Sequence, residues 1–397
     1  MENSNWKEGK SSELIDLISG FAFKSANFIS EKKDNTLPII KIKNVANGDV
    51  NLNDVVYHEY NEKFSNYVIE KGDILIAMTG NHIHAQTQIV GDVSLCKLDE
   101  PVLLNQRVGK FVAKENTDLK FAYYLFKDEE TRFNLANKAS GSANQANVSK
   151  TDILDLGVLI PPFPEQKAIA SVLSSLDDKI DLLQQQNQTL EALAETLFRQ
   201  WFIEKTKEDW EEESLSKNIT FLNGLACQKF PPKNNIDKYP VLKIRELTSG
   251  ITDNSDWATT EVKPEYIVKN GDVIFAWSAS LMVKIWNGED CVLNQHLFKV
   301  TSEEYPKWFY YFWCKQHLRE FISIAQSHAT TMGHIKRSDL DEAMVLVPDN
   351  DEIDRMTVQM NPILDKIQLN NNQINSLSKL RDTLLPKLMS GEVRVKN

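Results

Sequence analysis

At 397 residues the chain exceeds one ordinary hydrophobic core and calls for two or more domains. Its 42% hydrophobic and 25% charged residues exclude a disordered polypeptide, and no apolar run reaches the ~18 residues that a membrane span needs. A net charge of −11 excludes a uniformly basic nucleic-acid binder. It does not exclude one DNA-facing surface, because salt screens charges more than about 10 Å away. The acidity is spread along the chain, with no basic tail. The polar first ten residues carry no signal-peptide core, and Cys96, Cys227, Cys291 and Cys314 form no CxxC pair. Both features point to a reduced, cytoplasmic protein without a zinc site.

In chain order, residues 1–160 predict a β-rich domain. Short apolar runs at 38–42 and 73–77 read as strands, separated by turns such as Asn47-Gly48-Asp49 and Lys71-Gly72-Asp73. A helical stretch over 119–138 and a small-polar loop over 140–145 follow. Pro161-Pro162-Phe163-Pro164 then opens a long helix within 161–205, with Pro164 suited to its first turn and Glu165 to its positive dipole end. Along it Leu173, Leu176, Ile180, Leu183, Asn187, Leu190, Ala194 and Leu197 alternate spacings of three and four, the pattern of a coiled-coil seam. Residues 206–347 predict a second β-rich domain. Residues 348–397 predict a second long helix with its tail, whose seam is Met360, Ile363, Ile367, Asn370, Ile374, Leu377, Arg381 and Leu384.

The second half restates the first. Tyr123-Tyr124 recurs as Tyr310-Tyr311, Asp178-Lys179-Ile180 as Asp365-Lys366-Ile367, and Thr196-Leu197 as Thr383-Leu384, all at an offset of 187 residues. Upstream the offset drifts: Leu104-Asn105-Gln106 matches Leu293-Asn294-Gln295, Gly72-Asp73 matches Gly271-Asp272, and Trp6 and Gly20 match Trp210 and Gly224. The predicted fold class is α+β: two β-rich mixed α/β domains joined by two long antiparallel coiled-coil helices in a pseudo-twofold tandem repeat. At 1.5 Å per residue each helix makes a rod of roughly 50 Å, a device for setting distance. Asn187 and Asn370 penalise wrong registers, and as facing amides they can satisfy one another.

No catalytic motif emerges. Ile160-Pro161-Pro162-Phe163 has the outline of an amino-methyltransferase motif, but Ile160 cannot bond a target amine, and no methyl-donor loop precedes it. No GxxxxGK[ST] phosphate loop, nuclease cluster or catalytic triad is present. His82 and His84 share a strand face without a third metal ligand. Polar loop tips carry more information. Thr79, Asn81, His82 and His84 follow a strand in the first copy, and Trp277, Ser278 and Ser280 follow its counterpart. With Arg107, Asn144, Gln145, Arg245 and His296 these are candidates for DNA contact, and Lys24, Lys43, Lys229 and Lys284 for phosphates. The framework repeats while the tips differ, as two readers of different sequences require.

The block Ile160-Pro161-Pro162-Phe163-Pro164-Glu165-Gln166 resembles the central repeat of type I restriction-modification specificity subunits. Leu384-Leu385-Pro386-Lys387-Leu388-Met389-Ser390-Gly391-Glu392-Val393 is similar to their distal repeat. Gly20-Phe21-Ala22-Phe23-Lys24-Ser25, Gly72-Asp73-Ile74-Leu75 and Leu104-Asn105-Gln106-Arg107 resemble their target-recognition domains. The second copy departs at Ala226-Cys227-Gln228-Lys229, at His296 in place of Arg107, and at Pro348-Asp349, which lacks the double proline. The resemblance implies a non-catalytic subunit with two target-recognition domains and a bipartite DNA target. It also implies that two methyltransferase (M) subunits dock on this chain and that restriction/motor (R) subunits join through them. S-adenosylmethionine, ATP and magnesium would sit on those partners and no cofactor on this chain. The alternatives are a protein-binding scaffold without DNA recognition and the specificity module of a methylation-only system.

Overall fold

The structure is a computed structural model and describes residues 6–45, 48–81, 90–142, 145–217, 219–327 and 333–395. It divides into two compact units, one of Met1–Lys179 with Leu377–Asn397, the other of Ile180–Ser376. This division cuts across the four linear segments read from the sequence, because each unit takes in a stretch of both long helices.

In the first unit Ile15–Ser19, Val108–Ala113, Ile74–Ala77, Val93–Leu95 and Gly48–Asp49 form one sheet in that order. Val56–Glu59, Thr36–Ile40, Val102–Leu104 and Val68–Ile69 form another. The second unit repeats both orders, except that among the described residues its first sheet has no counterpart of Gly48–Asp49. Thr220–Asn223, Leu297–Thr301, Val273–Ala276 and Met282–Ile285 make one sheet, and Trp257–Thr259, Lys238–Leu242, Cys291–Leu293 and Ile267–Val268 the other. The unbroken apolar run Ile74-Leu75-Ile76-Ala77 follows from burial on both faces. Ile74 and Ile76 enter one hydrophobic cluster, Leu75 and Ala77 a second. Val273 with Phe275 and Ile274 with Ala276 divide in the same way.

Two predicted elements come out differently. The helix expected over 119–138 is two helices, Leu119–Lys127 and Glu129–Ala136. Asp128 leaves helical geometry (φ −60°, ψ 137°), and its carboxylate caps the second helix by accepting from the Thr131 N–H at 3.2 Å. At the counterpart position stands Lys315, and there one helix, Lys307–Ser327, runs through. The loop expected over 140–145 is part of a ribbon: Ser140–Ser142 pairs with Gln145–Asn147, which pairs in turn with Thr79–Gly80.

The long helices span Phe163–Arg199 and Asn350–Met389, 37 and 40 residues. The first starts at the double proline, where Gln166 is buried and binds the Pro161 carbonyl at 3.0 Å. The second starts without it because Asp349 caps the helix, accepting from the Glu352 N–H at 2.8 Å. Along the predicted seam Leu173, Ile180, Leu183, Asn187, Met360, Ile367 and Asn370 are buried. Leu176, Leu190, Leu197, Ile363, Ile374, Leu377 and Leu384 are half-buried. Within each unit the helical segments run antiparallel. In the first, Arg381 pairs with Asp177 at 2.8 Å and Arg394 with Glu165 at 2.6 Å. In the second, Asn370 donates to Asn187 Oδ1 at 2.9 Å, while Lys207 and Trp210 both donate to Glu352. The facing amides meet in one direction only: Asn187 donates on to Asn371 at 2.8 Å and not back to Asn370, whose Oδ1 is buried without a partner among the described residues.

Each unit also carries a clamp at a helix start. The Trp6 indole N–H donates to Glu165 at 2.9 Å, and the Trp210 indole N–H to Glu352 at 2.7 Å. The cation on the first carboxylate is Arg394, and on the second Lys207. Both carboxyls are held below the ordinary glutamate range, by Arg394 in the first case and Lys207 in the second, against a smaller opposing effect of burial.

Candidate nucleic-acid interface

In both units the candidate residues grow from one backbone frame. Gly20 lies against the Asn105 carbonyl so closely that a Cβ there would stand 2.0 Å from its oxygen. Gly224 lies against Asn294 with a corresponding 2.3 Å. Only glycine permits this approach. The next residue then pairs: the Phe21 N–H donates to Leu104 at 2.9 Å, and the Leu225 N–H to Leu293 at 2.8 Å. Each Leu-Asn-Gln segment thereby becomes a fixed turn, closed by Val108 N–H to Asn105 carbonyl (2.8 Å) or Leu297 N–H to Asn294 carbonyl (2.9 Å). This is the physical content of the repeated Leu-Asn-Gln.

The strand-end residue joins the same frame. The Met78 N–H donates to the Arg107 carbonyl at 2.9 Å, and its own carbonyl accepts from Val148 at 3.0 Å. In the second unit Trp277 makes the matching bonds, to His296 at 3.4 Å and from Ile335 at 3.1 Å. One step on, Thr79 pairs with Asn147, its hydroxyl donating to the Asn147 side chain at 2.7 Å, and Ser278 bridges to His334.

The frame therefore brings together Thr79, Asn81 and Arg107 in one unit, and Trp277, Ser278, Ser280 and His296 in the other. Asn81 accepts from the Val90 N–H at 2.9 Å through its carbonyl. The backbone of Gln145 lies in the ribbon beside Thr79. His82, His84 and Asn144 lie outside the described residues. Trp277 stacks on Phe298 with ring centres 5.7 Å apart and lies 6.0 Å from the His296 ring. Its indole N–H is buried without a partner among the described residues. His296 is bonded on both ring nitrogens, Nδ1 with the Ser278 hydroxyl at 3.1 Å and Nε2 with the Gln295 amide at 3.3 Å. Arg107, Lys24 and Lys229 are exposed.

Three candidate cations are engaged elsewhere. Lys43 pairs with Asp54 at 3.5 Å. Lys284 donates to the Leu247 carbonyl at 3.1 Å. Arg245 binds the fully buried Glu246 at 2.7 Å and the Asn254 carbonyl at 2.8 Å, so its guanidinium compensates an interior carboxylate. Gln295, Asn147 and His334 belong to the frame but escaped the sequence reading. A signal existed, since Asn147 and His334 stand 187 residues apart and Gln106 and Gln295 sit in the repeated turn.

All four cysteines are buried, and burial raises their thiol pKa values, which makes them poor nucleophiles. Among the described residues no His, Cys, Asp and Glu group converges to hold a metal ion, and no helix is long and apolar enough to cross a membrane.

Both halves match one family model, the type I restriction modification DNA specificity domain, over residues 3–192 and 207–379. The chain is 24% identical to the type I restriction enzyme MjaIX specificity subunit of Methanocaldococcus jannaschii, over 100% of this chain and 99% of that protein. It is 23% identical to the EcoKI specificity subunit of Escherichia coli, over 98% of this chain and 89% of that protein. Its fold matches the crystal structure of a type I restriction-modification S subunit from M. genitalium. The TM-score is 0.61 and the identity 16%, over 98% of this chain and 97% of that one.

Proposed function

Because the chain belongs to the type I restriction-modification DNA specificity family, with one family domain in each half, we propose that each unit's frame reads one half of a bipartite DNA target. The observation that carries this reading is the doubled frame. The same glycine approach, turn and strand-end bonds recur, while the side chains they present differ: Met78, Thr79 and Arg107 in one, Trp277, Ser278 and His296 in the other. Constant backbone with variable edge is what two readers of unlike sequences need. The chain selects DNA and performs no catalysis; methyl transfer from S-adenosylmethionine falls to two M subunits docked on the long helices. R subunits that bring ATP and magnesium join through those. The antiparallel helices set the spacer between half-sites, and the assembly works in the cytoplasm.

The test is selection from a randomised duplex library by the full chain with its M subunits. A motif of two fixed half-sites with an unread spacer of constant length is expected, its affinity falling steeply with salt. Selection of no motif, or of one contiguous motif, would refute the proposal.

A further inference from the structure

Two copies of one frame in a single chain provide an internal comparison, and at position 107 against 296 they differ in both charge and hydrogen bonding. The backbone at Arg107 is fixed on both sides: its carbonyl takes the Met78 N–H, and the turn preceding it is closed by Val108 onto Asn105. From this rigid turn the guanidinium projects exposed, with no hydrogen bond, ion pair or ring contact among the described residues. It offers five donors in a planar fork and meets no acceptor among the described residues. His296 occupies the equivalent turn, but both its nitrogens bind protein, to Ser278 and Gln295.

Resting on the DNA-reading function above, we propose that Arg107 is a specificity-determining residue of the first half-site and reads a guanine through O6 and N7, a contact the second half-site lacks. The alternative for an exposed arginine is a phosphate. Phosphates are the same in both half-sites, so a phosphate contact from a repeated frame would be retained in both copies. A fork in one copy and an internally bonded imidazole in the other is instead the signature of differing bases. A guanine edge presents two acceptors side by side, which matches the fork.

The experiment repeats the duplex selection with wild type, R107A, R107Q and H296A, in each case the full chain with its M subunits. Wild type is expected to fix a guanine in one half-site. R107A should reduce preference for that guanine about ten- to a hundredfold with other positions unchanged. R107Q should move the preference at that position to adenine, whose N6 and N7 a glutamine amide matches. A merely structural role would not produce that switch. H296A should leave this half-site as it was. Uniform weakening of all sequences by R107A, with a salt slope smaller by about 0.9 and no base preference altered, would mean a phosphate contact and overturn the assignment. An unchanged motif would overturn it equally. Should wild type select no motif, it is the DNA-reading proposal that fails.

Discussion

Replacing Gly20 by alanine tests the frame at its tightest point. The added methyl would sit 2.0 Å from the Asn105 oxygen and 2.7 Å from that of Leu104. Carbon and carbonyl oxygen approach no closer than about 3.3 Å, so the two backbones must part by more than about 1 Å. Both obstructing atoms are main chain, and no side-chain rotation relieves them. Parting breaks the bonds from Gly20 N–H to Val108 and from Phe21 N–H to Leu104, now 3.0 and 2.9 Å. Two buried backbone bonds lost at about 1–2 kcal/mol each give roughly 2–4 kcal/mol. For a unit of this size that lowers the melting temperature by roughly 5–15 °C. G72A is the control: Gly72 has φ +96° but open space around it, so alanine adds only backbone strain of about 1–2 kcal/mol. Thermal unfolding and duplex selection are read together. G20A should blur the first half-site only, and G224A, with 2.3 Å to Asn294, the second. If G20A melted within about 2 °C of wild type and selected an unchanged motif, the close approach would not be what holds the reading turn.

In the helix seam, N187L leaves the Asn370 amide buried without its acceptor and should cost about 1–3 kcal/mol by denaturant unfolding. N187L/N370L should recover that loss or exceed wild type, and a double variant no more stable than the single one would contradict the pairing argument. Acid should weaken the fold through Glu165 and Glu352, whose carboxyls Arg394 and Lys207 hold low. Asp177 adds to this, since Lys127, Arg381 and Tyr124 together outweigh the upward push of its burial. Folded pKa values below unfolded ones mean stability present above the ordinary carboxylate range and lost as pH falls through the folded values. Melting temperature should therefore hold from pH 7 to about 5 and drop below about 4; a rise on acidification would show the sign to be wrong. R394A removes the guanidinium from Glu165 and should destabilise the first unit by about 1–3 kcal/mol, with E165Q/R394A recovering part of it. Equal loss in both variants would assign Arg394 a packing role only.

What the sequence made legible is what periodicity encodes. The run 74–77 is apolar at every position because two clusters receive alternate side chains, and the heptads are visible because each helix buries one stripe. The offset of 187 residues, drifting upstream, carried the duplication, and the heptad spacing carried the seam asparagines. What stayed hidden depended on contacts between distant segments. Asp128 breaks a helical pattern because its carboxylate finds the Thr131 N–H, a choice that local propensity does not announce. The ribbon 140–147 reads as a loop until Thr79–Gly80 supplies its partner strand. Arg245 reads as a DNA contact until Glu246 proves to be wholly buried beneath it. Arg381 stands in a seam of apolar residues for the same reason, since Asp177 waits opposite.

These same pairings reconcile a net charge of −11 with a DNA target. A number of exposed acidic side chains are matched with nearby cations: Asp99 by Lys71, Asp49 by Lys97, Glu261 by Lys233, Asp256 by Lys243. A matched pair contributes little field beyond a Debye length of about 8–10 Å, so such carboxylates do not repel a phosphate backbone elsewhere on the surface. On the proposed reading, what a duplex would meet near each frame is whatever charge this cancellation leaves over. Lys24 in the first unit and Lys229 in the second are exposed and without an ion pair among the described residues, which makes them the candidates for phosphate contact. A few unpaired cations beside a rigid edge suffice to orient a duplex, because each phosphate neutralised releases its own condensed counterion whatever the charge of the rest of the protein. On the same reading the acidic surplus would act where the frame does not, raising the free energy of DNA bound against any other face and so favouring the two orientations in which an edge is read.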